Sequence, residues 1–176
     1  DGTIAYKASG NIPIRKKGES LVPVPGWNDD YEWEGYIPHN ELPTLINPEE
    51  GFIATANNKI VDDSYPYHIS NVWAQPYRQQ RILEVLNSKE TFTVEDMKAL
   101  QMDIKNLQAE EFVPIFLEQL LNQKLSEKEK EAVNLLKKWD FEDDQAETAP
   151  LLFQTILLEI SDVLFGENIS DEMIEE

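Results

Sequence analysis

From Tyr77 onward the apolar residues recur at helical spacing, whereas before it they come in short runs broken by proline and glycine. TIAYKAS, residues 3 to 9, alternates well enough to predict a strand, and IPIRKKG, residues 12 to 18, reads as a short strand entering a basic turn. GFIATA, residues 51 to 56, is a short apolar run and predicts a third, buried strand. LVPVPGW, residues 21 to 27, carries too many prolines for a central strand and reads as an extended connector. All ten prolines except Pro114 and Pro150 fall in residues 1 to 77, together with six of the seven glycines and three of the four tryptophans. That composition suits short strands joined by ordered loops.

The second part, 78 to 176, predicts helices. RQQRILEVLN, residues 78 to 87, places Ile82, Leu83, Val85 and Leu86 on one side. Thr93 has the chemistry of an N-cap, with acidic residues in the turn after it, and Met97, Leu100, Ile104 and Leu107 follow at helical spacing. Pro114 is expected to break or kink the next segment, EEFVPIFLEQLL. Ser126 and Glu129 have the spacing of a capping box before KEKEAVNLLKKW. Pro150 fits the first turn of a last helix, Gly166 its stop, and the acidic tail from Ile169 is expected to fray. These helices have broad apolar faces that need a covering layer. The few short strands of residues 1 to 60 are too small for that, so part of the sheet is expected from sequence elsewhere or from another chain.

Charge narrows the partners. The formal net charge is −19, and the acidic excess is concentrated late: residues 91 to 176 hold 7 basic and 21 acidic side chains, against 8 and 13 in residues 1 to 90. Such a surface repels nucleic-acid phosphates, so no nucleic-acid partner is expected. It also supplies oxygen ligands of the kind calcium takes, although solubility is the ordinary role of surface acids. No run of eighteen apolar residues occurs, so no membrane span is predicted. With no cysteine, disulfides, thiolate nucleophiles and cysteine-ligated metals are excluded. Residue 1 is Asp rather than Met, which suggests a processed or excised chain.

Few residues could carry chemistry. Asn57 and Asn58 follow the apolar run 51 to 56 directly. Two asparagines there ordinarily make a turn, because asparagine tolerates positive φ. The functional reading is an uncharged amide donor held against a developing oxyanion. Arg78 opens a helix after the aromatic-rich segment YPYHISNVWAQPY and could fix neighbouring polar groups, or simply lie on the surface. Trp27, Tyr31, Trp33, Tyr36, Tyr65, Tyr67, Trp73 and Tyr77 could stack on sugars or anchor loops. The acidic pairs Asp29 and Asp30, Asp62 and Asp63, and Asp143 and Asp144 could bind calcium or sit solvated on loops; none has the spacing of a helix–loop–helix calcium site. His39 and His68 lie outside any Gly-x-Ser-x-Gly setting.

Taken together, IPIRKKG (12 to 18), PVPGW (23 to 27), YEWEGYIPHNELPTLINPEEGFIATANN (31 to 58), YPYHISNVWAQPYRQQRI (65 to 82), FTVEDMKALQMDIKNL (92 to 107) and KKWDFEDD (137 to 144) resemble the penicillin acylase family of N-terminal-nucleophile hydrolases. The resemblance implies an α+β fold, here a fragment of a four-layer αββα hydrolase with short strands and loops first and a helical second half. It implies an enzyme that cleaves the amide of penicillins or other N-acyl compounds, including acyl-homoserine lactones. In such enzymes a precursor cuts itself in two, and the new N-terminal serine of the larger (beta) chain attacks while its α-amino group serves as base. Aligned on that pattern, Asn57 is the oxyanion-hole donor, Asn58 its neighbour, and Arg78 a site-orienting residue.

The resemblance also implies that this is an internal part of the larger chain. The nucleophilic serine would lie outside it, the fragment would be inactive alone, and its partners would be the smaller chain, the rest of the larger chain and a small-molecule amide substrate. No organic cofactor is implied. A calcium ion between chains is, with a carbonyl ligand near Ser20, but its acidic ligands do not align. The family's location would be extracytoplasmic, secreted or periplasmic. The alternative is a non-catalytic carbohydrate- or peptide-binding module using the aromatic loops; a helical adaptor built on residues 91 to 176 is a third.

Overall fold

The computed structural model describes residues 2–120 and 122–166. The chain forms two compact units, Asp1–Glu90 and Thr91–Glu176. The change in composition at residue 77 marks where helices begin, while the first unit keeps the first of those helices. The mixture of short strands and helices places the chain in the α+β class.

In the first unit, four strands form two separate antiparallel pairs. β1 (Ala5–Lys7) pairs with β4 (Thr44–Ile46), with Tyr6 opposite Leu45, and β2 (Pro13–Arg15) pairs with β3 (Trp33–Tyr36). The register of the second pair slips between Ile14 and Arg15, which face Gly35 and Trp33 and leave Glu34 as the extra residue. Gly35 has φ 152°, a conformation glycine adopts without steric cost at such a bulge. The strands predicted in 3–9 and 12–18 are therefore present, as shorter pieces.

GFIATA is not a strand. Residues 52–55 are half-buried for the most part, but they form no regular element and join no ladder among the described residues. An apolar run becomes a strand only where a neighbouring chain segment offers matching backbone donors and acceptors. Here the end of the run is bonded instead by side chains, described below. LVPVPGW is irregular, as its prolines dictate. Helix α1 (Tyr77–Leu86) closes the unit. Ile37, Leu42, Ala56 and Asn58 are its buried residues among those described.

The second unit holds α2 (Val94–Gln101), α3 (Leu107–Leu120), α4 (Glu127–Lys138) and α5 (Ala149–Phe165). Thr93 caps α2, its hydroxyl accepting from the Asp96 amide while the Asp96 carboxylate accepts from the Thr93 amide. The apolar spacing 97–107 predicted one helix, yet the helix stops at Gln101. Asn106 starts a new one: its side-chain oxygen accepts from the Ala109 N–H at 2.8 Å, and its amide donates to the Asp143 carboxylate. Its own N–H donates to the Phe141 carbonyl and that of Asp143 to the Ile104 carbonyl, so a distant loop claims the backbone that would have continued α2.

Pro114 sits inside α3 without ending it. Ser126 and Glu129 form the capping box expected at α4. Pro150 lies in the first turn of α5, where a missing N–H costs nothing. The helix ends at Phe165 ahead of Gly166, and the acidic tail from Ile169 lies outside the described residues. The core of this unit is one apolar cluster of Ala109, Val113, Leu136, Trp139, Ala149 and Phe153, with Phe153 fully enclosed. No helix among the described residues is long and apolar enough to cross a membrane.

Candidate functional site

Asn57 turns the chain at the end of the apolar run. Its φ is 60°, in the left-handed region that asparagine tolerates better than other side-chain-bearing residues. Its carbonyl accepts from the Ala74 N–H at 2.9 Å, which ties the turn to the segment entering α1. Arg78, in the first turn of α1, reaches back across it. One terminal nitrogen of its guanidinium, Nη2, donates to the Ala56 carbonyl at 2.9 Å and to the Asn57 Oδ1 at 3.1 Å.

That contact sets the amide's direction. A guanidinium only donates, so the amide oxygen must face it and the Nδ2 hydrogens must turn away. A cationic donor on the oxygen also polarises the amide and makes those hydrogens better donors. Asn57 and Arg78 are themselves exposed, so the turned-away N–H group lies at an accessible surface of the first unit. The result is a neutral donor fixed by a cation, which is chemically suited to an oxygen that gains negative charge.

Asn58 is differently used. It is only 8% exposed; its Oδ1 accepts from the Ala56 N–H at 2.9 Å and its Nδ2 donates to the Lys59 carbonyl at 2.9 Å. Both ends of this amide serve the local backbone. The two adjacent asparagines, alike in sequence, thus have opposite orientations and partners. Nothing in their spacing distinguishes which one is spent on the chain.

A cleft of about 520 Å³ in the same unit has Asn58 in its wall, with Tyr6, Leu45, Ala54, Val61, Tyr65 and Pro66 among its lining residues. Tyr65 donates its hydroxyl to the Glu41 carbonyl and Tyr67 to the Glu41 carboxylate, and the two rings meet edge to face at 5.8 Å. Burial, then the nearby Glu41 charge, raises the Tyr65 hydroxyl above the ordinary tyrosine value; the hydrogen bond to Glu41 does so first for Tyr67. This cleft has no signature in the sequence, because its walls come mainly from β1, β4 and the 54–66 loop.

Several other candidates have local partners. Trp33 and Tyr36 form a second edge-to-face pair on β3, and Trp27 is 85% exposed. Asp62 accepts from the Ser64 hydroxyl and amide, which holds its carboxyl below the ordinary value, and Asp63 pairs with Lys59. Asp30 pairs with Lys17, Asp143 accepts from Asn106, and Asp144 caps the turn at Ala146. Among the described residues no three histidine, aspartate or glutamate side chains converge to hold a metal. Ser20, where the resemblance puts a carbonyl ligand for calcium, is an exposed residue at φ 62°. The described residues do not assemble a calcium site by themselves. His39 and His68 are both exposed.

The penicillin amidase family model matches residues 1–175. Penicillin acylase 2 proenzyme of Pseudomonas sp. (strain SE83) is 38% identical over 102 residues, which cover 58% of this chain and 13% of that protein. Acyl-homoserine lactone acylase QuiP of Pseudomonas putida is 26% identical over 180 residues, covering 96% of this chain and 22% of the relative. The chain thus spans less than a quarter of the length of these curated relatives. A thermostable penicillin G acylase from Alcaligenes faecalis superposes with a TM-score of 0.68 at 23% identity, over 97% of this chain and 32% of the acylase chain, which shows a shared fold.

Proposed function

The chain belongs to the penicillin amidase family, and on that premise we propose that it is one portion of an acyl-amide hydrolase. In this reading a serine nucleophile, contributed by sequence beyond the chain, attacks the carbonyl of an N-acyl substrate. The carbonyl oxygen gains a full negative charge in the tetrahedral intermediate. The Asn57 Nδ2 donates to that oxygen, and because the amide is already aimed, little reorganisation accompanies charge development. Arg78 holds the amide oxygen and the preceding carbonyl together and acts through Asn57.

The observation that carries this reading is the double contact of the Arg78 Nη2 with the Ala56 carbonyl and the Asn57 Oδ1. It leaves the donor end of Asn57 turned outward on a rigid turn. In the whole precursor, Asn57→Ala is expected to lower kcat by roughly 10²–10³, with KM and self-cleavage little changed. Wild-type turnover by that variant would remove Asn57 from the site.

The substrate class follows the names of the relatives: penicillins and acyl-homoserine lactones share an N-acyl amide, and a panel of both assayed on the whole enzyme separates them. Maturation from a precursor is supported by the word proenzyme in the name of the Pseudomonas sp. relative. Work outside the cytoplasm belongs to the same proposal, and fractionation of cells expressing the whole precursor tests it. No step here depends on a calcium ion.

A further inference from the structure

We propose that Asn58 is a positioning residue that keeps Asn57 in its left-handed turn; this rests on the assignment of Asn57 as the oxyanion donor. Asn58 bonds the backbone on both sides of Asn57. Its Oδ1 takes the Ala56 N–H and its Nδ2 holds the Lys59 carbonyl, so a single buried amide draws the chain around the residue between them. Without that tie, Asn57 would sit at φ 60° with no local interaction from its neighbour to offset the steric cost.

The tie reaches the donor through the Ala56 peptide. Ala56 is buried, so its N–H depends on a protein partner, and Asn58 supplies it. The Ala56 carbonyl, on the other side of the same residue, is one of the two acceptors of the Arg78 Nη2; the other is the Asn57 Oδ1. If the Ala56 N–H is released, the backbone can rotate, and both acceptors of the arginine move together. The outward donor then loses its direction. Asparagine is the residue type that fits: aspartate would keep the acceptor but oppose the Lys59 carbonyl with a second oxygen, and glutamine is one methylene too long for the same short loop.

The test is a double-mutant cycle in the whole precursor. Asn58→Ala is expected to lower kcat by roughly 10- to 100-fold with KM little changed, because a misaimed donor weakens the transition state and not substrate binding. In the Asn57→Ala background, the same change is expected to cost less than about twofold, since the donor it aims is gone. If Asn58→Ala does not yield mature enzyme, Asn58→Asp enters the same cycle. It keeps an acceptor for the Ala56 N–H and is expected to show a severalfold loss of kcat with the same non-additivity. Wild-type kcat in the variant, or an equal loss in both backgrounds, overturns the proposal. An Asn57→Ala enzyme with full activity would instead overturn the underlying site assignment, so the two failures are distinguishable.

Discussion

The two units order their chains by different means. In the second, five buried apolar residues gather around a sixth, Phe153, whose ring lies near those of Phe116 and Trp139. In the first, buried residues are scattered, and directional bonds hold the irregular segments: Asn47 to Ile4, Tyr65 to Glu41, Asn58 to Ala56 and Arg78 to Asn57. Apolar contact is non-directional and tolerates small shifts. Hydrogen bonds weaken steeply with angle, so they define where one atom points. The candidate site lies in the unit built from directional ties, as a catalytic donor requires.

The largest effect should come from the apolar side of that contrast. Phe153→Ala removes a fully enclosed ring and is expected to cost about 3–5 kcal/mol, read from urea unfolding followed by helical circular dichroism. A loss under about 1 kcal/mol would mean that the cluster is not what holds the helices. On the polar side, Arg78→Lys keeps the charge but loses the planar reach to two acceptors. It should lower kcat of the whole enzyme about tenfold while its melting temperature moves little. Unchanged turnover would show that charge alone suffices and that direction is not the point.

The smallest effects concern the α4 cap, a directional tie within the apolar unit. Ser126→Ala is expected to cost about 1 kcal/mol, measured by the same unfolding. The Ser126 backbone and hydroxyl hold the Glu129 carboxyl below its ordinary value of 4.5. A depressed folded value means that the stabilisation is fully present above the unfolded value and is lost as pH falls through the folded one. Glu129→Gln should therefore differ most from wild type near neutral pH, with the difference fading in acid. A difference that grows in acid would reverse the assignment.

Much of the helical unit was legible in the sequence, because capping and apolar periodicity are local. Thr93, Ser126 with Glu129, and Pro150 mark the starts of helices where the structure has them. The single helix expected through Leu107 fails because Asn106 is recruited by Phe141 and Asp143, some 35 residues away in sequence. GFIATA looks like a strand for its composition, yet ladder formation depends on a neighbour that composition does not name.

The candidate site divides in the same way. Asparagine after an apolar run, followed by an arginine at a helix start, was visible residue by residue, as were the absence of cysteine and the acidic balance that turns phosphates away. The family pattern carried in those segments was visible too. Which of two identical amides faces outward was not. That depends on a guanidinium that arrives from α1 and on the burial of Asn58, both set by packing between segments about twenty residues apart. A side chain's type belongs to the sequence, whereas its direction is a property of the partners that the folded chain brings to it.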